Sequence, residues 1–243
     1  MIAILLVQAG LAQCVLAAGP IAPTTVFPNS VEGNSQMPMT WDGTYYYAGH
    51  GGSTPMPLSI YDAAGAHLTT KSIALDFRGT FNKADGTDVS YFRGYASTQI
   101  RKRTPGVGGA VHTVLVGGTV DAQAAVAWDP IQAAFIVNNY GQVNRWTDGG
   151  GFIGATALIG FGAGAEEAYP QGRNIAATPG GCWLTYEAGT VSAWDSGGNR
   201  VSTAVLSGAG TTFDSYFGSG YTNNMFWVPD TEGGSWRGYS IGL

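Results

Sequence analysis

Acidic residues recur at nearly constant intervals along this sequence. Successive members are separated by 44, 45, 46 and 47 residues, and they are Glu32, Asp76, Asp121, Glu167 and Asp214. If a repeated unit brings them to one end of a common axis, their carboxylates could bind Ca²⁺, which takes roughly six to eight oxygen ligands. A close pair could instead hydrolyse a glycosidic bond as acid and base. A third interpretation is structural: the acids repeat because the unit repeats, and they bind backbone turns.

The sequence offers no other catalytic motif to accompany these acids. It contains no Gly-x-Ser-x-Gly with assignable His and Asp partners and no His-Glu-x-x-His. Its three histidines and two cysteines lack the spacing of a zinc site. The net charge is −5, without a long basic run, so nucleic acid is not expected as a partner.

A repeated β-hairpin explains the interval between the acids. Five residues hold equivalent positions with spacings of 40, 45, 48 and 45, and they are Tyr61, Arg101, Trp146, Trp194 and Tyr239. A glycine-containing turn such as Asp148-Gly149-Gly150 follows the marker, and then comes an alternating apolar strand. Glycine supplies the positive φ of tight turns, and alternation marks a half-buried strand, so each marker lies in a hairpin.

A second hairpin precedes each marker. Its turns contain Asp42-Gly43, Asp85-Gly86, Asp129-Pro130, Gly180-Gly181 and Asn223-Asn224. Two hairpins per period make a four-stranded antiparallel sheet, which is the blade of a β-propeller. The sequence therefore predicts an all-β fold, a five-bladed β-propeller over residues 21–243 with an apolar N-terminal extension over residues 1–20.

The fifth blade lacks one strand at the end of the chain. The sequence stops at Leu243, where the outermost strand should begin, whereas residues 21–28, IAPTTVFP, form an extended stretch without a partner. Pairing this stretch with the last blade would close the ring and remove exposed strand edges. We predict that residues 21–28 complete the fifth blade.

Two segments carry a resemblance to known repeats. They are AAFIVNNYGQVNRWTDGGGFI and GCWLTYEAGTVSAWDSGGNRV, with the order strand, glycine turn, aromatic-Asp and glycine. This order resembles PQQ-like and NHL-like blades of the β-propeller class. The resemblance implies the fold, and such folds host lectins, hydrolases, scaffolds and redox enzymes alike.

The first twenty residues form an apolar run that ends in small residues. It resembles a secretory signal, but no Lys or Arg precedes Lys71. Exposing this run to water would cost about 25 cal/mol per Å² of apolar surface. We therefore predict an uncleaved assembly segment that packs on a neighbouring copy, head to tail, through Ile2, Ile4, Leu5, Leu6, Val7, Leu11, Val15 and Leu16. In this arrangement Cys14 would form a disulfide with Cys182 of the neighbour.

These features predict a non-enzymatic extracellular structural protein, a subunit of a filament or surface layer whose partner is itself. The alternative is a secreted carbohydrate-binding propeller, since flat aromatic rings can stack on glycans. The aromatic candidates are Trp41, Tyr45, Tyr46, Tyr47, Trp128, Trp183 and Trp227, and core packing competes for each of them. A glycoside hydrolase is a weaker alternative. No cofactor is expected other than Ca²⁺ at the repeated acids.

Overall fold

The chain folds as five four-stranded antiparallel sheets, which confirms the predicted five-bladed β-propeller. The computed structural model describes residues 14–29, 35–83, 90–104, 107–162, 171–230 and 234–243. Within this part of the chain, no helix has the length and the apolar character needed to cross a membrane. The described helices are a five-residue α-helix, α1 (Phe213–Phe217), and a 3-10 turn at Gln171–Arg173.

The strands follow one another around the ring, beginning with β1 (Thr25–Pro28). The first blade consists of β2 (Gln36–Trp41), β3 (Tyr46–His50), β4 (Met56–Tyr61) and β5 (His67–Ile73). The second blade consists of β6 (Phe77–Asn82), β7 (Ser90–Gly94), β8 (Gln99–Thr104) and β9 (Val107–Val114). The third blade consists of β10 (Ala127–Asp129), β11 (Ala134–Asn139), β12 (Gln142–Thr147) and β13 (Phe152–Ala157).

The last two blades share this plan, except for the origin of one strand. The fourth blade consists of β14 (Ala176–Ala177), β15 (Trp183–Glu187), β16 (Thr190–Trp194) and β17 (Arg200–Val205). The fifth blade consists of β18 (Gly220–Thr222), β19 (Met225–Asp230), β20 (Ser235–Tyr239) and β1. In each blade the first strand of this order lies nearest the axis of the ring, and we call it the inner strand.

The ring is closed by the pairing of β1 with β20. The two strands are antiparallel, from Thr25 opposite Gly238 to Pro28 opposite Ser235. This is the pairing that the sequence predicted for the IAPTTVFP stretch. The Phe27 side chain is 3% exposed and contacts Tyr46, Tyr61 and Trp227, so β1 also joins the fifth blade to the first.

Tight turns of the expected kind join the strands within a blade. Tyr140 and Gly141, between β11 and β12, have φ angles of 53° and 84°, and Ala188 and Gly189, between β15 and β16, have 44° and 85°. A type I′ turn needs positive φ at both central residues, and its twist matches that of the flanking strands. Glycine at the second position has no Cβ to clash, so these dipeptides determine the register of their hairpins.

The hydrophobic core lies between the blades. Five clusters of buried residues are present in the described chain, and each combines side chains from two neighbouring blades. Between the second and third blades, for example, Phe81 and Tyr91 pack with Phe135 and Trp146. Polar contacts also cross between blades, since the buried indole N–H of Trp183 donates a hydrogen bond to Asp129 at 2.7 Å. Burial of aromatic side chains between blades therefore stabilises the ring as a whole.

The described part of the N-terminal extension, residues 14–20, packs on its own propeller. Cys14 forms a disulfide with Cys182 of the same chain, not with a neighbouring copy. Leu16 is buried among residues of the fourth and fifth blades, although Val15 is exposed. The backbone N–H of Ala17 donates to the carbonyl of Ile241. The remaining predicted assembly residues, Ile2, Ile4, Leu5, Leu6, Val7 and Leu11, lie outside the described residues.

Candidate functional site

Two of the repeated acids form ion pairs with arginines at the starts of the inner strands. Asp76 precedes β6 and accepts hydrogen bonds from Arg78 and from the backbone N–H of Gly52. Asp121 lies before β10 and pairs with Arg173 at 2.7 Å. The Asp76 and Asp121 carboxylates therefore already have cationic partners within the chain.

These ion pairs belong to one network across the second and third blades. The guanidinium of Arg78 donates to Gln123, whose backbone N–H donates to Asp121 at 2.8 Å. Arg93 is 1% exposed and donates to the carbonyls of Ser97, Asp121 and Ala124. Burial lowers the pKa of Arg93 to about 10, against the opposing effect of Asp121. The network links the second and third blades by hydrogen bonds. This agrees with the interpretation that Asp76 and Asp121 have a structural role.

The other acids of the series do not join this network in the described structure. Asp214 lies in the first turn of α1 and accepts a hydrogen bond from Ser35 at 3.2 Å. Burial raises the pKa of Asp214, and the Ser35 hydrogen bond only partly offsets this. Glu32 and Glu167 lie outside the described residues. Among the residues that the structure does describe, no three His, Cys, Asp or Glu side chains come together to hold a metal ion.

A cavity of about 240 Å³ opens at the other end of the inner strands. We call it the axial cavity, because every blade contributes to its wall. Its lining consists of Trp41, Asn82, Lys83, Trp128, Pro130, Ala177, Thr178, Pro179, Tyr221, Thr222, Asn223 and Asn224. These residues end the inner strands or belong to the turns that follow them. The six-residue strand β6 separates this end from Asp76 by about 20 Å, at 3.3 Å per residue.

The axial cavity adjoins a narrower space in the interior of the propeller. Asn82, Trp128, Ala177 and Tyr221 line both the axial cavity and a much smaller space along the axis. That space holds only about 20 Å³, roughly the room that one water molecule needs. The space along the axis therefore narrows sharply below the axial cavity, and the cavity is the part with room for a small ligand.

Asn82 fixes the wall where three blades meet. Its side-chain carbonyl accepts hydrogen bonds from the hydroxyls of Thr40 and Thr222, and its amide donates to the carbonyl of Trp41. The backbone N–H of Trp41 also donates to Thr222 at 3.0 Å. A buried network whose members are all hydrogen-bonded is rigid. Trp41 is thus held at the rim by the second and fifth blades.

Two tryptophans present aromatic surface to the axial cavity. Trp41 is half-buried and packs on Tyr46, with ring centroids 4.4 Å apart. Trp128 is also half-buried and meets Phe135 edge to face at 4.9 Å. By contrast, Trp183 and Trp227 are fully buried between blades and belong to the core. Trp41 and Trp128 are thus the aromatic candidates that line the cavity; Tyr46 and Tyr47 are buried as well, and Tyr45 is exposed outside the cavity lining.

Lys83 is the one residue with a formal charge among the described residues that line the axial cavity. Its ammonium lies 4.4 Å from the centroid of the Trp128 ring. It also contacts Asp148 and His112, which lie on the turn after β12 and on β9. Desolvation acts to raise the pKa of Asp148, but hydrogen bonds from Lys83 and His112 hold that pKa below its usual value.

These observations define the class of the protein as a five-bladed β-propeller with a pocket on its axis. No family model and no curated protein matches the sequence. Among solved structures, the chain is similar to regucalcin, a calcium-binding protein from Agrobacterium tumefaciens. The identity is 11% and the TM-score 0.56, with 93% of this chain and 96% of that chain covered.

Two further solved propellers are more distant. Virginiamycin B lyase from Staphylococcus aureus has 13% identity and a TM-score of 0.47, with 85% of this chain and 67% of that chain covered. BamB from Moraxella catarrhalis has 18% identity and a TM-score of 0.40, with 84% and 57% covered. At identities of 11% to 18% the likeness to these structures indicates the fold alone.

Proposed function

We propose that this protein is a carbohydrate-binding propeller, and that the axial cavity holds one sugar residue. The observation that carries the proposal is the position of Trp41 and Trp128, which come from different blades and both border the same pocket. The apolar faces of sugar rings stack on aromatic rings, while their hydroxyls need hydrogen-bond partners. Binding sites of this kind combine an apolar wall with a few placed polar groups.

The polar part of the axial cavity suits sugar hydroxyls. Asn223 and Asn224 are exposed on the turn after β18, whereas Thr178 and Thr222 are buried and their hydroxyls already bond within the chain. The side-chain amides both donate and accept, as sugar hydroxyls do. The cavity volume of about 240 Å³ lies below the roughly 300–1,000 Å³ of pockets for drug-sized ligands. A single terminal sugar residue is therefore the ligand size that we propose.

Binding is better supported than hydrolysis. A glycoside hydrolase of the usual type needs two carboxylates beside the scissile bond. The described lining of the axial cavity contains no carboxylate. Asp76 and Asp121, which form ion pairs with arginines, lie at the other end of the inner strands. Because those carboxylates have arginine partners, we do not propose Ca²⁺ binding there either.

We also propose that the protein works outside the cell. Disulfides persist in oxidising compartments and are rare in the reducing cytosol. Cys14 and Cys182 are 4% and 1% exposed, so the disulfide forms part of the core. Of the predicted assembly residues that the structure describes, Leu16 packs within the chain and Val15 is exposed, so Leu16 no longer supports filament assembly. It remains a prediction only for the apolar residues before Cys14.

A glycan array probed with the purified full-length protein tests the proposed function. We expect retention of a restricted set of glycans that share a terminal residue. Trp41→Ala and Trp128→Ala should each weaken retention at least about tenfold, because stacking on an aromatic ring is lost. Phe152→Ala is the matched control, since Phe152 is an exposed aromatic on an outer strand. Absence of glycan binding by the folded parent protein would overturn the proposal.

A further inference from the structure

We infer that the sugar residue bound in the axial cavity is anionic and places its carboxylate or sulfate beside Lys83. This inference rests on the proposed function and specifies its ligand. Its basis is the arrangement of Lys83, Asp148 and His112 between the second and third blades. Lys83 and Trp128 both line the cavity, and the Lys83 ammonium lies 4.4 Å from the centroid of the Trp128 ring, whereas Asp148 is not among the lining residues.

The ammonium of Lys83 is held firmly in the wall. Its side chain is only 7% exposed, although lysine normally extends into water. The rings of Trp128, Tyr91 and Phe135 lie 4.4, 5.7 and 5.7 Å from the ammonium, within the range of cation–π attraction. The charge is therefore fixed next to the surface on which we expect the sugar to stack.

Asp148 neutralises Lys83 from the solvent side. The Asp148 side chain is 54% exposed and is not among the residues that line the axial cavity. His112 joins the two and approaches Asp148 at 2.9 Å. An ammonium has three donors and can serve more than one acceptor. An anion within the cavity would thus share Lys83 with Asp148, and the two negative charges would repel each other.

An anionic group of the sugar gains more binding free energy from Lys83 than a neutral hydroxyl does. A hydroxyl can accept a hydrogen bond from the ammonium, but a carboxylate or sulfate adds the Coulomb attraction between two full charges. We expect this difference to amount to about tenfold in affinity. Lysine acts as a compact point charge and does not impose the planar geometry of arginine, so a carboxylate and a sulfate both satisfy it.

The test uses monosaccharides in matched pairs. The indole N–H signals of Trp41 and Trp128 are followed by NMR while glucose, glucuronic acid, galactose, galacturonic acid and galactose 6-sulfate are added. At least one anionic sugar should bind about tenfold more tightly than its neutral counterpart. The uronic acids and the sulfate distinguish the two sources of negative charge.

Three variants separate the role of the charge from that of the fold. Lys83→Met keeps the chain length and should abolish the preference for the anionic sugar, whereas Lys83→Arg should retain it. Asp148→Asn removes the competing anion and should strengthen binding of the anionic sugar a few-fold. Asp195→Asn changes the net charge equally on the corresponding turn of the fourth blade and should have no effect. Melting curves establish that each variant is folded.

The outcomes separate this inference from the proposed function. If neutral and anionic sugars bind equally to the parent protein, or if folded Lys83→Met keeps the preference, the inference is wrong while sugar binding stands. Weaker anion binding by folded Asp148→Asn would also overturn it, because Asp148 would then be a direct part of the site. If no glycan on the array and no sugar in the series binds, the proposed function fails and this inference fails with it.

Discussion

His50 is a buried titratable residue whose environment makes stability depend on pH. It ends β3, is 0% exposed, and its ring nitrogens have no hydrogen-bond partner among the described residues. Burial lowers the pKa of His50 to about 4 from 6.5, because the charged ring is poorly solvated there. The folded protein therefore holds this ring neutral at neutral pH.

The pKa difference predicts loss of stability on acidification. Between pH 6.5 and pH 4 the unfolded state binds a proton that the folded state does not. The free energy of unfolding therefore decreases as the pH is lowered through this range. The loss attributable to His50 should reach about 3 kcal/mol near pH 4. Urea unfolding at pH 7 and at pH 4 measures it. His50→Leu should reduce this pH dependence, whereas His67→Gln, at an exposed histidine, should leave it unchanged. Equal pH dependence in the parent and folded His50→Leu proteins would contradict the assignment.

At the scale of single residues, the sequence pointed to acidic residues as candidates for a functional site but did not identify the residues that line the axial cavity. The acids at Asp76 and Asp121 stood out because they recur with the blade period, yet each is paired with an arginine in the structure. Lys83 and Asn82 carry no repeat and no motif, so nothing in the sequence marks them as cavity residues. The sequence does predict hairpin turns at Asp129-Pro130 and Asn223-Asn224. Because the equivalent turns of all blades lie around one axis, these turns were the available signal for the cavity.

At the scale of elements, the strand β1 joins the start of the chain to its end. Phe27 is buried among Tyr46, Tyr61 and Trp227, whereas Val26, beside it, is 52% exposed. The alternation along β1 therefore places one side chain in the core and the next in solvent. This pattern, together with the missing fifth-blade strand, made the closure predictable from the sequence.

The closure predicts a strong asymmetry between two neighbouring substitutions. Phe27→Ala should lower the free energy of unfolding by about 3–5 kcal/mol, as removal of a buried phenylalanine does. Val26→Ala on the same strand should change it by less than about 0.5–1 kcal/mol. Chemical denaturation followed by tryptophan fluorescence measures both. Similar small effects from the two substitutions would show that β1 does not stabilise the ring.

Contacts between residues far apart in the sequence could not be predicted from local patterns. Blade number and strand order follow from local patterns, because turns and alternation are encoded within a few residues. The contact of Cys14 with Cys182 spans 168 residues, and no local pattern distinguishes pairing within a chain from pairing between chains. The axial cavity likewise forms only when five separate turns meet.

At the scale of the whole molecule, the disulfide anchors the N-terminal extension across the fourth and fifth blades. Ser202 on β17 reinforces this contact, since its hydroxyl donates to the carbonyl of Cys14 and accepts from the N–H of Leu16. Cross-linking residues that are 168 positions apart restricts the unfolded chain strongly. The bond should therefore stabilise the entire propeller as well as the extension.

Removal of the disulfide should lower stability without abolishing the fold. We expect the double substitution Cys14→Ala and Cys182→Ala to reduce the free energy of unfolding by about 2–5 kcal/mol. Thermal unfolding with and without reductant measures this, and only the parent protein should respond to the reductant. Intact mass after alkylation should show no free thiol in the parent monomer. A disulfide-linked dimer on a non-reducing gel would instead support pairing between chains.

The central claim is that a sugar binds on the axis, between Trp41 and Trp128. A crystal structure of the protein with a glycan retained on the array tests it most directly. We predict density for one sugar residue in the axial cavity, stacked on at least one of these rings and hydrogen-bonded by Asn223 or Asn224. Density at the Asp76 and Asp121 end of the propeller, or on the outer strands with an empty axial cavity, would contradict the account.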